Sequence, residues 1–107
     1  MQITVSSRNI EVSDALRAAA TQKIERVGRL LPDAHRAEVH FCEERNPRIA
    51  NREVCEVTLV SGRHHLQCRA SAPDGFAAVD LAVSKLSHQV HRVKDRTTST
   101  RSGTPRR

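Results

Sequence analysis

The chain has 107 residues, a length that fits one domain with a single modest core. Its three cysteines, an odd number without close pairing, favour a reducing compartment over a disulfide framework. No apolar run approaches the roughly 20 residues that a membrane-spanning helix needs, and "MQITVSSRNI" lacks the layout of a signal peptide. The sequence therefore predicts a cytoplasmic protein.

Six secondary-structure elements are predicted in chain order. Residues 2–6 alternate as a short strand, and Ser13 N-caps a helix over 14–31 that Pro32 ends. Residues 36–44, 52–61 and 63–71 each alternate at period two and form three strands, with a tight turn at Gly62. Asp74 N-caps a last helix, whose apolar stripe contains Phe76, Val79, Val83, Leu86, Val90 and Val93.

From Asp95 onward the sequence "DRTTSTRSGTPRR" shows no apolar periodicity. It predicts an ordered domain over 1–96 and, over 97–107, a disordered basic tail or the start of a linker. The order β-α-β-β-β-α favours an α+β fold of two layers, in which a four-stranded sheet buries one face under two helices packed side by side. Both phenylalanines, Phe41 and Phe76, are expected in the core.

Basic residues concentrate at the C-terminal end of the chain. Residues 1–74 contain eleven Lys and Arg against ten Asp and Glu, whereas residues 75–107 contain seven against two. This asymmetry indicates a polyanionic partner, either nucleic acid or an anionic membrane surface. With no Trp or Tyr to stack on single-stranded bases, the composition favours phosphate contacts with structured RNA or duplex, and it disfavours a membrane interface.

Two sets of polar residues are candidates for this contact. At 100° per residue, a narrow stripe of the last helix contains Lys85, Gln89, Arg92 and Arg96. On the first helix, Lys23, Arg26 and Arg29 lie three residues apart and flank the apolar stripe. If the helices are neighbours, both sets are expected to border one helical surface.

Cys42, Cys55 and Cys68, with histidines nearby in the sequence, are candidates for a thiol or zinc site. Strand parity places Cys55 and Cys68 on the core side and Cys42 on the other side, so the three thiols cannot close one tetrahedral site. No Gly-rich phosphate loop or HExxH motif occurs. The sequence thus predicts no catalytic site, metal, cofactor or small-molecule substrate. An enzyme or metal protein with an incidental basic end stays open as an alternative.

The stretches "ITVSSRNIEVSDALRAAATQKIERV" and "DGFAAVDLAVSKLSHQVHRVKDR" resemble the bacterial hibernation-promoting factor / ribosome-associated inhibitor family, also called the sigma-54 modulation protein family. The resemblance covers residues 1 to about 96, the family's N-terminal ribosome-binding domain. It implies a fold akin to double-stranded RNA-binding domains. It also implies binding to 16S rRNA in the decoding region of the small ribosomal subunit of 70S ribosomes, which silences translation in stationary phase or stress. The alternative is a general structured-RNA-binding module, for instance in ribosome assembly.

Position by position, the resemblance marks the family's basic stripe on the last helix and basic positions on the first. The marked residues are Lys85, Gln89, Arg92, Lys94 and Arg96, with Lys23 and Arg26. His88 departs from the pattern, because many relatives have Arg or Lys there. The chain is either a short, self-sufficient member or the first domain of a long one, and long members join two ribosomes into a hibernating dimer.

Overall fold

A computed structural model describes residues 1–46, 48 and 52–102, with side chains described up to Lys94 in the last helix. The elements follow the predicted order: β1 (Gln2–Arg8), α1 (Asp14–Gly28), β2 (Ala34–Glu43), β3 (Glu53–Ser61), β4 (His65–Ala72) and α2 (Gly75–Ser102). Both predicted N-caps are present. The Leu16 amide donates to Ser13 Oγ at 3.1 Å, and the Ala77 amide donates to Asp74 Oδ1 at 2.9 Å.

The four strands form one mixed sheet in the order β1-β2-β3-β4. β1 and β2 are parallel because α1 carries the chain from one to the other, whereas β2–β3 and β3–β4 are antiparallel neighbours. β1 and β4 are therefore the two edge strands. The predicted α+β class and two-layer arrangement are confirmed.

Both helices pack on the same face of the sheet and enclose one core. α1 contacts β1 and β2, α2 contacts β3 and β4, and the helices contact each other. The apolar stripe of α1 (Leu16, Ala20, Ile24 and Val27) is buried, and so are Phe41, as predicted, and the alternating strand residues Val39, Val57 and Leu59. Such packing stabilises α1 in particular, since an isolated helix of 15 residues is marginal in water.

Phe76 is not part of this core, contrary to the sequence prediction. Its side chain is 47% exposed, whereas Ala78, two residues further on, is fully buried. Phe76 lies at the margin of the apolar stripe and in the first turn of α2. A stripe defined by averaging over a long helix does not fix the burial of a terminal residue at its margin. The chain therefore presents one exposed aromatic side chain, on a helix and not on the sheet.

α1 ends earlier than the apolar pattern predicts. The helix stops at Gly28, and the next residues form tight turns in which the amides of Leu30 and Leu31 donate to the carbonyls of Val27 and Gly28 at 3.0 and 3.1 Å. Gly28 packs against the side chain of Met1, where a Cβ atom would collide with it. Glycine is also a weak helix former, so the last turn tightens there while Leu31 remains buried.

α2, in contrast, continues beyond the predicted boundary at Arg96, because its backbone is helical through Ser102. Extending an existing helix costs far less than starting one, and "TTSTRS" contains neither Gly nor Pro. The backbone of 97–102 is therefore helical, and Gly103 and Pro105 follow in the sequence as residues that disfavour a helix. Residues 103–107 of the predicted tail lie outside the described residues, and the proposed division into domain and linker stays a prediction.

Candidate nucleic-acid interface

A groove runs between α2 and the edge strand β4. It has a volume of about 370 Å³ and is lined by Gln67, Cys68, Arg69, Lys85, His88, Gln89 and Arg92. Because α2 covers β3 and β4, its outer flank and the free edge of β4 form the two walls. Three of the lining residues are cationic at neutral pH and none is acidic, so the groove has a positive potential.

Helical spacing places three predicted site residues on the wall that α2 contributes. Lys85, Gln89 and Arg92 follow each other at intervals of four and three residues, which keeps them on one side of a helix. Leu86 and Val90, buried on the adjoining side, hold this part of α2 against the sheet. Side chains on this wall therefore project from a rigid element.

Lys85 joins the two walls directly. Its Nζ atom donates a hydrogen bond to the carbonyl oxygen of Arg69 at 3.0 Å, on the edge of β4. The side chain of Arg69 lies on the open face of the sheet, where its Nη1 atom is 3.5 Å from Glu56 Oε2 on β3. The ammonium group of Lys85 thus occupies the rim between the helix layer and the open face.

The predicted residues of α1 do not line this groove. Lys23 faces α2, with its Nζ atom 2.5 Å from Asp80 Oδ1, whereas Arg26 on α1 and Arg29 just after its end are exposed. Asp80 lies about 140° around α2 from Lys85, so α2 presents one flank to α1 and another to the groove. Lys23 and Lys85 thus lie beside different flanks of α2, and the expectation that both sets border one helical surface stays a prediction.

Two further predicted residues lie elsewhere on α2. Lys94 is exposed, but it projects about 180° around the helix from Lys85 and is not on the same stripe. Arg96 belongs to α2, and its side chain lies outside the described side chains. The described structure therefore brings together Lys85, Gln89 and Arg92 from the predicted set.

The cysteines are distributed as strand parity predicts. Cys55 and Cys68 are buried on the helix side of the sheet, and Cys42 is half-buried on the other side. Burial raises the pKa of the Cys55 thiol to about 12, with smaller contributions from Glu56 and Cys42. Among the described residues, no three His, Cys, Asp or Glu side chains are placed to hold a metal ion, and no helix is long and apolar enough to cross a bilayer.

A family model described as "Sigma 54 modulation protein / S30EA ribosomal protein" matches residues 3–98. The chain belongs to this family. The match includes all four strands, α1 and the part of α2 that forms the groove. The resemblance expected from the sequence is thereby confirmed.

Curated relatives of this chain include ribosome hibernation factors of two bacteria. The ribosome hibernation promotion factor of Mycobacterium tuberculosis is 31% identical over 98 residues, which cover 89% of this chain and 44% of the relative. The ribosome hibernation promoting factor of Salmonella typhimurium is 26% identical over 96 residues, which cover 90% of this chain and 96% of the relative. The chain thus spans less than half of the first relative and nearly all of the second.

A solved structure within the same range of identity supports the fold. The crystal structure of the Thermus thermophilus Protein Y N-terminal domain aligns with a TM-score of 0.72 at 26% identity. The alignment covers 87% of this chain and 99% of that domain.

Sequence reasoning missed the contribution of β4 to the site. The residues predicted for the site all lie on the two predicted helices, but Gln67 and Arg69 also line the groove. Their alternation with buried Cys68 was visible in the sequence. The missing information was the position of β4 at the sheet edge, which depends on strand order and not on local pattern.

Proposed function

We propose that this chain binds the decoding region of the small ribosomal subunit through the groove between α2 and β4, and thereby silences translation under stress or in stationary phase. In this role it excludes mRNA and tRNA by occupancy and carries out no reaction. The two curated relatives are named for ribosome hibernation, which supports the proposal. The observation that carries it is the α2 wall of the groove, which presents Lys85 and Arg92, with no acid among the described lining residues.

The chemistry of the groove favours contacts with the RNA backbone. Lys and Arg neutralise phosphates, and the amides of Gln67 and Gln89 can donate to phosphate or accept from ribose hydroxyls. None of the described lining residues is Phe, Tyr or Trp, and His88 is the one ring among them on which a base could stack. Affinity is therefore expected to fall steeply with salt and to depend on the shape of folded rRNA.

The decisive experiment is co-sedimentation of the protein with purified small ribosomal subunits at low and high salt. Arg92→Glu is the informative variant, because the Arg92 side chain is exposed and its charge lies in the groove. Arg8→Glu makes the same charge change on an exposed residue at the end of β1, the edge strand opposite to β4. We expect Arg92→Glu to abolish binding and the inhibition of translation in a purified system, whereas Arg8→Glu retains both.

The same experiment separates this proposal from a general structured-RNA module. Such a module would bind free duplex RNA as tightly as whole subunits, whereas a hibernation factor needs the shape of the subunit. Equal affinity for the two, without inhibition of translation, would replace the proposed function by the module. Equal loss in Arg92→Glu and Arg8→Glu would show a response to net charge and remove the groove as the site.

A further inference from the structure

We propose that the RNA-binding surface continues from α2 around the edge of β4 onto the open face of the sheet. Arg69 is a further phosphate-binding residue there, and its ion pair with Glu56 competes with the phosphate. This inference rests on the proposed function and extends its site. The occupant is the ribose-phosphate backbone of structured RNA, which crosses the β4 edge from the helix layer to the sheet layer.

Charge on the open face varies from strand to strand. Acidic side chains lie on β2 and β3, where Glu38 pairs with Arg36 and Glu56 pairs with Arg69. On β4 the four open-face positions are His65, Gln67, Arg69 and Ser71, all exposed and none acidic. The outermost strand therefore offers a continuous row of hydrogen-bond donors to an anion beside the groove, and Glu56 on β3 is the acid that contacts this row.

Lys85 links this row to the helix. Its ammonium group lies on the rim of the β4 edge, bonded to the carbonyl oxygen of Arg69, and uses one of its three N–H donors in that bond. The other two donors remain for an anion, and Arg92 and Arg69 line the same groove. Positive charge is thus present on both faces of the edge and at the rim between them, which suits a backbone that bends across it.

Glu56 limits the availability of Arg69. The distance of 3.5 Å between Arg69 Nη1 and Glu56 Oε2, with the Arg69 side chain 60% exposed, describes a weak surface ion pair. A phosphate offers the guanidinium a geometry at least as good. Binding of RNA is therefore expected to exchange one partner of Arg69 for another, and Glu56 competes with the RNA.

The open face contains a matched control pair. Arg36 Nε and Glu38 Oε2 on β2 are also 3.5 Å apart, on the same face but two strands further from the groove. Arg36→Gln and Glu38→Gln thus repeat the charge changes of Arg69→Gln and Glu56→Gln outside the proposed path. Circular dichroism and urea unfolding would establish that all four variants fold.

The test measures the affinity of the full chain for small ribosomal subunits as a function of salt. We expect Arg69→Gln to bind about tenfold more weakly, with a log–log salt slope shallower by about 0.7 to 0.9 for the one lost phosphate contact. Glu56→Gln should bind two- to fivefold more tightly, on the order of an exposed ion pair. Arg36→Gln and Glu38→Gln should both stay within about twofold of the wild type.

Opposite effects of Arg69→Gln and Glu56→Gln distinguish binding from structure, because both variants break the same ion pair. Weakening by both would assign the pair a structural role and overturn the inference. The inference would also be overturned if Arg69→Gln bound small subunits as tightly as Arg36→Gln does. If Arg92→Glu still failed to bind in that case, the proposed function would stand. Absence of binding by the wild type would refute the proposed function, and this inference with it.

Discussion

The ammonium group of Lys85 caps the free edge of the sheet at the carbonyl oxygen of Arg69, with 3.0 Å between nitrogen and oxygen. Arg17 makes the equivalent bond on the opposite edge, from its Nη1 atom to the carbonyl oxygen of Val5, also at 3.0 Å. In both cases a long cationic side chain from a covering helix satisfies an outward carbonyl of an edge strand. Such bonds protect edge strands from pairing with other chains.

This contact gives Lys85 a structural role that Arg92 does not share. Lys85→Met removes the bond to the β4 edge and should lower the free energy of unfolding by about 1 kcal/mol. Arg92→Met changes an exposed side chain and should change it by less than about 0.5 kcal/mol, while weakening binding to small subunits. Urea denaturation together with co-sedimentation measures both quantities. Equal stability of the two variants would show that the bond at the β4 edge contributes nothing.

Lys23 and Asp80 should be energetically coupled across the two helices. Their charged atoms are 2.5 Å apart, but the side chains are 34% and 59% exposed, so solvent screens the attraction. A double-mutant cycle with Lys23→Ala and Asp80→Ala should therefore give a coupling energy of about 0.5 kcal/mol. Raising the salt concentration should reduce it. A coupling of zero at low salt would mean that the pair does not orient the helices in solution.

The helices and strands of this domain could be predicted because each buries one face and alternates with the matching period. The inward positions Val39, Val57 and Leu86 follow from local spacing alone. The contacts of Lys23 could not be predicted in this way. The ion pair with Asp80 depends on which flank of α1 meets α2, and helical periodicity does not contain that information.

Local spacing likewise predicts only the part of the candidate site that lies on a single helix. The stripe of Lys85, Gln89 and Arg92 is a property of one helix and was found from its spacing. The contribution of Arg69 depends on strand order, on the position of α2 over β4 and on the pairing with Glu56. These are tertiary relationships. They also determine that Lys23 and Lys85 lie beside different flanks of α2.

The three cysteines should differ sharply in reactivity. Cys55 is fully buried and its thiol has a pKa of about 12, and burial also raises the pKa of Cys68, although Lys85 opposes this shift. Because the thiolate is the reactive form, both residues should resist alkylation of the native protein at neutral pH. Cys42, half-buried on the open face, should react first.

Titration with a chromogenic disulfide reagent, before and after denaturation, measures this difference. We expect one rapid thiol in the native protein and three after unfolding. Cys42→Ser should remove the rapid phase and leave two thiols that react only as the protein unfolds. A rapid phase that persists in this variant would place Cys55 or Cys68 within reach of solvent.

Glu53 should destabilise the native protein at neutral pH. It lies directly opposite Glu43 in the β2–β3 ladder, and partial burial, followed by the charges of Glu43 and Asp74, raises its pKa above the ordinary value of 4.5. Between that value and the raised pKa, the native state binds more protons than the unfolded state. Stability contributed by protonated Glu53 is thus lost as pH rises through the raised pKa.

Glu53→Gln should therefore stabilise the protein by about 0.5 kcal/mol at neutral pH, the typical cost of like charges placed opposite each other in a sheet. Below the ordinary pKa the gain should disappear, since Glu53 is then protonated in both states. Glu38→Gln is the control, because its partner in the ladder is Thr58 and not an acid. Urea unfolding at about pH 4 and about pH 7 measures both variants. A gain of equal size at the two pH values would attribute the effect to packing, because only an electrostatic origin makes it vanish in acid.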